Sequence, residues 1–112
     1  MGDPILNDSG MTELLLAAYY GDPEWVAACI AGGLDLTARS NNGYTALHWA
    51  VDMGCVGRRK DRIAVVRALV EAGADVTALN AGGETPAVTA RHSTSEYLIP
   101  YLEKRRKRSP GG

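Results

Sequence analysis

Residues Asn41 to Asn80 read NNGYTALHWAVDMGCVGRRKDRIAVVRALVEAGADVTALN, and the sequence on either side reads as two altered copies of them. The copies align on a threonine that follows a glycine turn: NDSGMTELL at Thr12, NNGYTALHWA at Thr45 and AGGETPAVTA at Thr85. Thr12 to Thr45 is 33 residues and Thr45 to Thr85 is 40. The glycine closing each unit is a second ruler: Gly33 in AGGLDLTA and Gly73 in EAGADVTA are also 40 apart. The middle unit therefore carries seven extra residues, placed between Thr45 and Gly73. Repetition at this period marks an architecture in which each unit buries its apolar side only against its neighbours, so that about three units are the least that can stand.

Working outward from the middle unit, each copy reads as a turn followed by two short helices. Thr45 opens one helix, with Ala46, Leu47, Trp49, Ala50 and Met53 on its apolar side as far as Gly54. The extra residues fall at about 55–60. Asp61 then suits the cap of a second helix, on which Ile63, Val66, Leu69 and Val70 share a face. In the first unit Thr12 is placed to accept from an unpaired backbone N–H at the start of a helix that Gly21 stops. Asp22-Pro23-Glu24 restarts the chain as cap, first helical residue and favourable dipole charge, and Gly32-Gly33 ends that helix. Ile5 and Leu6 are expected to lie over an exposed helix end. Pro100 interrupts the last helix, which is expected to kink or to begin near Ile99.

This layout, with GYTALHWA, EAGADVTA and GGETPA, resembles the ankyrin repeat, whose signature runs G-x-T-P-L-H-x-A, then G-x-x-E-hydrophobic-V, then a closing G-A-D-V-N-A. The resemblance implies an all-α solenoid of three helix-turn-helix units joined by hairpin-like fingers. The expected boundaries are a cap segment at 1–6, a repeat domain at 7–106 divided at 7–39, 40–79 and 80–106, and a flexible basic and glycine-ending tail at 107–112. The first unit has Glu13-Leu14-Leu15 where the family has Pro-Leu-His, and the third has Ala87-Val88 where it has Leu-His. Only the middle unit keeps the histidine, His48, which the resemblance makes a structural bridge between units. The resemblance also implies recognition of another protein through finger tips and inner helices. By position these are Arg39, Asn41, Asn42 and Tyr44 at one finger, Leu79, Ala81 and Glu84 at the next, and Tyr19, Tyr20, Asp52, Met53, His92 and Ser93 on the inner helices. Tyr19, Tyr20 and Tyr44 are the expected anchors, because tyrosine offers a large contact area with few rotors.

Composition narrows the alternatives. The chain has 112 residues, 46% of them hydrophobic, enough for one small core. No run approaches the roughly 18 apolar residues of a membrane span, and MGDPILNDSG lacks the layout of a signal peptide, so a cytoplasmic protein is expected. Cys29 and Cys55 read as free thiols. The net charge of −1 conceals an acidic body and a basic end: without Lys104 to Arg108 the balance is seven cations against 13 carboxylates.

No enzyme chemistry and no cofactor are expected. His48 and Asp52, four apart, are the best acid–base pair available, but position 52 reads as solvent-facing and the histidine as scaffold. Cys29, Cys55, His48 and His92 lack zinc-site spacing, and Gly54-Cys55-Val56-Gly57 is not a phosphate loop. Nucleic-acid or acidic-surface binding through the basic clusters 58–62 and 104–108 is the alternative. It is weakened because no aromatic is interleaved with either. A monomer, or one subunit of a hetero-complex stacked on the end of the third unit, fits the pattern.

Overall fold

Two of the short helices, Pro23–Ala31 and Pro86–His92, start where a side chain accepts from unpaired backbone N–H groups, and the first, Glu13–Tyr20, stops at a left-handed glycine. A computed structural model describes residues 3–103. Helix α1 (Glu13–Tyr20) ends at Gly21, with φ 64°. Asp22 Oδ1 accepts from the N–H groups of Glu24 and Trp25 at 3.1 and 3.2 Å, and Pro23 takes the first position of α2 (Pro23–Ala31). The middle pair is α3 (Ala46–Val51) and α4 (Arg59–Glu71). The third is α5 (Pro86–His92), capped by the Thr85 hydroxyl, and α6 (Ile99–Leu102), entered through a 3-10 turn at Glu96–Leu98. Pro100 occupies the second position of α6, where its missing N–H is not needed.

Among the described residues there are helices and turns and no strand. α1, α3 and α5 pack side by side as an inner layer, α2, α4 and α6 as an outer one, and each inner helix packs on its own outer partner. Leu14, Leu15, Val26, Leu47, Val65, Val66, Leu69, Leu98 and Leu102 fill the space between the layers. None of these short helices has a second apolar neighbour within its own unit, so the core exists only once units stack. The fold is the expected three-unit solenoid, 44 × 29 × 26 Å.

The seven extra residues are divided between two places. Compared with the first unit, the connection between helices is five residues longer (52–58 against 21–22), the outer helix four longer, and the inner helix two shorter. The insertion is thus a longer loop plus one added helical turn, and both parts bind neighbours. Val56 N–H donates to the Tyr19 carbonyl at 2.8 Å, and Gly57 lies against Gly21 so closely that a Cβ there would stand 2.7 Å from the Gly21 Cα. In the added turn, the Arg62 guanidinium donates to the carbonyls of Ala50 and Asp52 at 3.0 Å each and to Ser95 Oγ at 2.9 Å. Arg59 lies over the Tyr97 ring, 4.0 Å from its centroid. The insert staples the middle unit to the first and third.

Several local expectations are corrected. α3 stops at Val51, because Asp52 turns extended (ψ 151°), so Met53 is on the connecting loop. Asp61 is the third residue of α4 and Arg58 its N-cap, since the added turn moves the helix start back. The Thr12 hydroxyl is buried without a partner instead of capping α1. Ile5 and Leu6 are exposed, because Leu6 N–H pairs with the Met11 carbonyl in a turn of its own. Residues 1–2 and 104–112 lie outside the described residues, and with them the Lys104–Arg108 cluster and the 107–112 tail. The third unit has Arg91, exposed, six residues after its aligned threonine, where Ala18 and Val51 are fully buried against the next unit. That face of the third unit therefore carries a cation where the first two units carry buried apolar residues.

Candidate functional site

The three inner helices are each preceded by a turn, and the turns are bonded to one another. Ser40 N–H donates to the Tyr44 carbonyl and Asn80 N–H to that of Glu84, both at 3.0 Å, closing the fingers locally. Between fingers, Asn41 N–H donates to the Ser9 carbonyl (2.8 Å), Asn41 Nδ2 to that of Asp8 (3.0 Å), and Ala81 N–H to that of Asn42 (3.2 Å). Gly43, with φ 78°, allows this approach: a Cβ would sit 2.6 Å from Ala81 N. Arg39 Nη1 donates to the Gly43 and Leu79 carbonyls, so this finger residue joins two fingers and is not a free contact. Leu79 and Ala81 are exposed at the tip.

His48 sits beneath this row, fully buried. Its Nδ1 lies 3.2 Å from Thr45 N and 2.9 Å from Thr45 Oγ1, and its Nε2 2.9 Å from the Glu84 carbonyl. A backbone N–H can only donate and a carbonyl can only accept, so the neutral ring with its proton on Nε2 satisfies both ends. Burial, foremost, holds its pKa below the ordinary value. His48 therefore bridges the middle and third units, and both nitrogens are occupied. Asp52 is half-buried instead of solvent-facing: Oδ1 accepts from the Tyr44 hydroxyl (3.0 Å) and Oδ2 from Gly54 N–H (2.8 Å). Because Asp52 lies past the end of α3, its partners are Tyr44 and Gly54, and the acid–base pair does not form.

Burial, then the bond to Asp52, pushes the Tyr44 phenol up to about 12. Burial, then Glu13 and Asp3, pushes the Cys29 thiol up to about 11, away from the thiolate that metal binding or nucleophilic chemistry requires. Among the described residues no three His, Cys, Asp or Glu side chains gather as a metal site.

What the fold does assemble is a row of aromatic rings running from the first unit into the second. Trp25 stacks on Tyr20 (6.1 Å between centroids), and Tyr20 meets Tyr19 edge to face (5.0 Å). Tyr19 meets Trp49 (5.6 Å), and Trp49 meets Tyr44 (4.8 Å). Tyr20 is 49% exposed and Met53 68%. The Trp49 indole N–H donates to Ser40 Oγ (3.2 Å), and its ring borders a cavity of about 250 Å³ with Asp8, Ser9, Asn41 and Asn42. At the other end of the row Tyr20, Pro23, Val56 and Arg58 line a groove of about 370 Å³.

Tyr19, Tyr20 and Tyr44 thus come together with Asn41, Asn42 and Asp52, while Met53 is exposed on the loop after α3. Glu84 and His92 form a separate pair on the third unit, His92 Nδ1 2.9 Å from Glu84 Oε2. Ser93, expected as a contact, is buried, its hydroxyl donating to the Thr89 carbonyl at 2.6 Å. Sequence reasoning missed Trp49, Trp25 and Val56. Trp49 was legible in part, since it lies on the inner helix three residues before Asp52.

In the cluster at 58–62, Arg62 is held by carbonyls and Arg59 lies over Tyr97, while Arg58, 3.8 Å from Asp61, and Lys60 are exposed. No described helix is long and apolar enough to cross a membrane.

A family model described as ankyrin repeats (3 copies) matches residues 2–80. The chain is 31% identical over 102 residues to the B-cell lymphoma 3 protein homolog of Mus musculus, covering 87% of this chain and 21% of that one. It is 33% identical over 100 residues to palmitoyltransferase ZDHHC17 of Danio rerio, covering 87% and 15%. The chain therefore spans about a fifth or less of these curated relatives. A crystal structure of an ankyrin repeat domain from Acinetobacter baumannii AYE matches with a TM-score of 0.75 and 31% identity, over 87% of this chain and 48% of that one.

Proposed function

This chain belongs to the ankyrin repeat family, whose repeats are in general protein–protein interaction modules, and from that premise we propose that it is a non-catalytic scaffold binding a partner protein. The surface is the inner-helix side and the finger turns beside it. One observation carries the reading: the half-exposed aromatic row from Tyr20 through Tyr19 and Trp49 to Tyr44 on stacked helices, with exposed Met53 on the loop that follows α3. Such rings supply large contact area with little ordering entropy, and residues of this kind dominate interface energetics. Asn41, Asn42, Leu79, Ala81 and Glu84 rim the surface, and His92 extends it onto the third unit. The two free thiols support a cytoplasmic setting. The engagement of Arg59 and Arg62 leaves the exposed Arg58 and Lys60 as the cations of 58–62 for the alternative, nucleic-acid reading.

The test uses Tyr20→Ala with Met53→Ala, chosen because both side chains project into solvent and neither change opens the core. A partner captured by the native chain is purified and titrated against both proteins. Loss of affinity by about 30-fold or more is expected for removal of two large exposed side chains of this surface. Affinity unchanged within about twofold would remove this surface from the binding function.

A further inference from the structure

The aromatic row is bordered by carboxylates, and the one described cation that lines the groove at its Tyr20 end, Arg58, has Asp22 and Asp61 in the same groove. Glu13 Oε2 accepts from the Trp25 indole N–H at 2.9 Å, Asp52 accepts from Tyr44, and Asp8 shares the cavity beside Trp49. None of the three forms an ion pair among the described residues. α1 and α3, ELLLAAYY and ALHWAV, contain no Lys or Arg. Among the described residues the seven cations are Arg58, Arg59, Lys60, Arg62 and Arg67 on α4 and its cap, Arg91 in the last turn of α5, and Arg39, held by two finger carbonyls.

We infer that the segment recognised on this surface is basic: a stretch of a partner protein carrying arginine or lysine, whose charged groups lie on the Tyr20, Tyr19 and Trp49 rings and face Asp8, Glu13 and Asp52. This rests on the protein-binding reading above and adds the chemistry of the partner. Ring faces and carboxylates attract the same sign of charge. A purely apolar segment would take water from three carboxylates without replacing it, and an acidic one would meet like charge. Arginine fits best, since its planar guanidinium stacks on a ring while its edge donates to a carboxylate. The rings touch at 4.8 to 5.6 Å and leave no slot between them, so the cation sits on the surface of the row, not in a cage.

The test titrates the full chain with four blocked octapeptides, alternating alanine with Arg, Lys, Gln or Glu. Emission from its two tryptophans, Trp25 and Trp49, is the readout, because both belong to the row. The expected result is saturable binding of the Arg peptide at least tenfold tighter than the Gln peptide, with no Glu binding. Neutralising the border with Asp8→Asn and Glu13→Gln should weaken Arg binding about fivefold at low salt. Removing the same charge from the outer helices with Glu24→Gln and Glu71→Gln should change it less than twofold, which separates a local site from net charge. Equal effects of the two double variants, or equal affinity for the Gln peptide, overturn the inference. If the Gln or Glu peptide binds and Tyr20→Ala with Met53→Ala abolishes that binding, the surface remains a binding face and only the basic partner is wrong. Arg-peptide binding that ignores both Tyr20→Ala with Met53→Ala and the border variant removes both readings.

Discussion

Replacing Arg62 with methionine keeps most of the stem length and removes the guanidinium. Three acceptors then lose a donor: the Ala50 and Asp52 carbonyls at the end of α3 and the Ser95 hydroxyl of the third unit. Breaking a bond to a charged donor is worth about 1.5 to 3 kcal/mol when the acceptor is left dry. Arg62 is only half-buried, so water restores part of each, and about 1 kcal/mol apiece is the fitting scale. The expected loss is about 2 to 4 kcal/mol, set against roughly 5 to 15 for a whole domain, and the melting temperature should fall by roughly 10 °C or more. Lysine should recover about a third at most, because one ammonium on a flexible stem cannot span three acceptors. Urea unfolding followed by far-ultraviolet circular dichroism measures both variants. A loss below about 0.5 kcal/mol for Arg62→Met would refute the staple, and the inserted turn would then be a tolerated lengthening of the surface.

His48 makes stability depend on pH. Its folded pKa lies below the ordinary 6.5, so below that value the unfolded chain binds a proton that the native ring refuses. The contribution is complete above pH 6.5 and is lost as pH falls toward the folded pKa, at up to about 1.4 kcal/mol per unit. Urea midpoints at pH 7.5 and 5.5 should separate more for the native chain than for His48→Asn; equal shifts would contradict the neutral-ring assignment. Thr12 and Thr45 occupy equivalent positions, yet Thr→Val should act oppositely. At position 12 it removes a buried, unpartnered hydroxyl and should be neutral or stabilising by up to about 1 kcal/mol; at 45 it breaks the contact with His48 and should destabilise by about 1 to 2. Equal effects in thermal melts would show that the hydroxyls are not in different states. Gly57→Ala drives a methyl to 2.7 Å from the Gly21 Cα and should lower stability by about 1 to 3 kcal/mol, against no more than about 0.5 for Gly82→Ala.

Much of the candidate surface was legible because the repeat places equivalent residues at equivalent positions. Tyr19, Asp52 and His92 all stand seven residues after their aligned threonines, so periodicity alone puts them at one register. The failures have local causes. Ser93 shares the register of Tyr20 and Met53 but is small, and its hydroxyl finds the Thr89 carbonyl one turn back, so it turns inward. Arg39 is charged and sits at a finger, which reads as exposure; two neighbouring carbonyls hold it, and one, from Leu79, is 40 residues away. Arg59 and Arg62 read as part of a basic cluster because nothing in RRKDR signals that Tyr97 and Ser95 lie opposite.

By itself the sequence determined the three units, their helix pairs, the turns that start and stop them, and the presence of seven additional residues in the middle one. These follow from short-range rules: glycine where the backbone is left-handed, proline where an N–H is not needed, apolar residues at helical spacing. The tertiary structure decided what the insertion does, which hydroxyls are satisfied, and that rings from both units join into one row beside carboxylates. Each of those depends on side chains from different units meeting at about 3 to 6 Å. Sequence periodicity fixes direction around a helix, but only stacking sets the distance between one helix and the next.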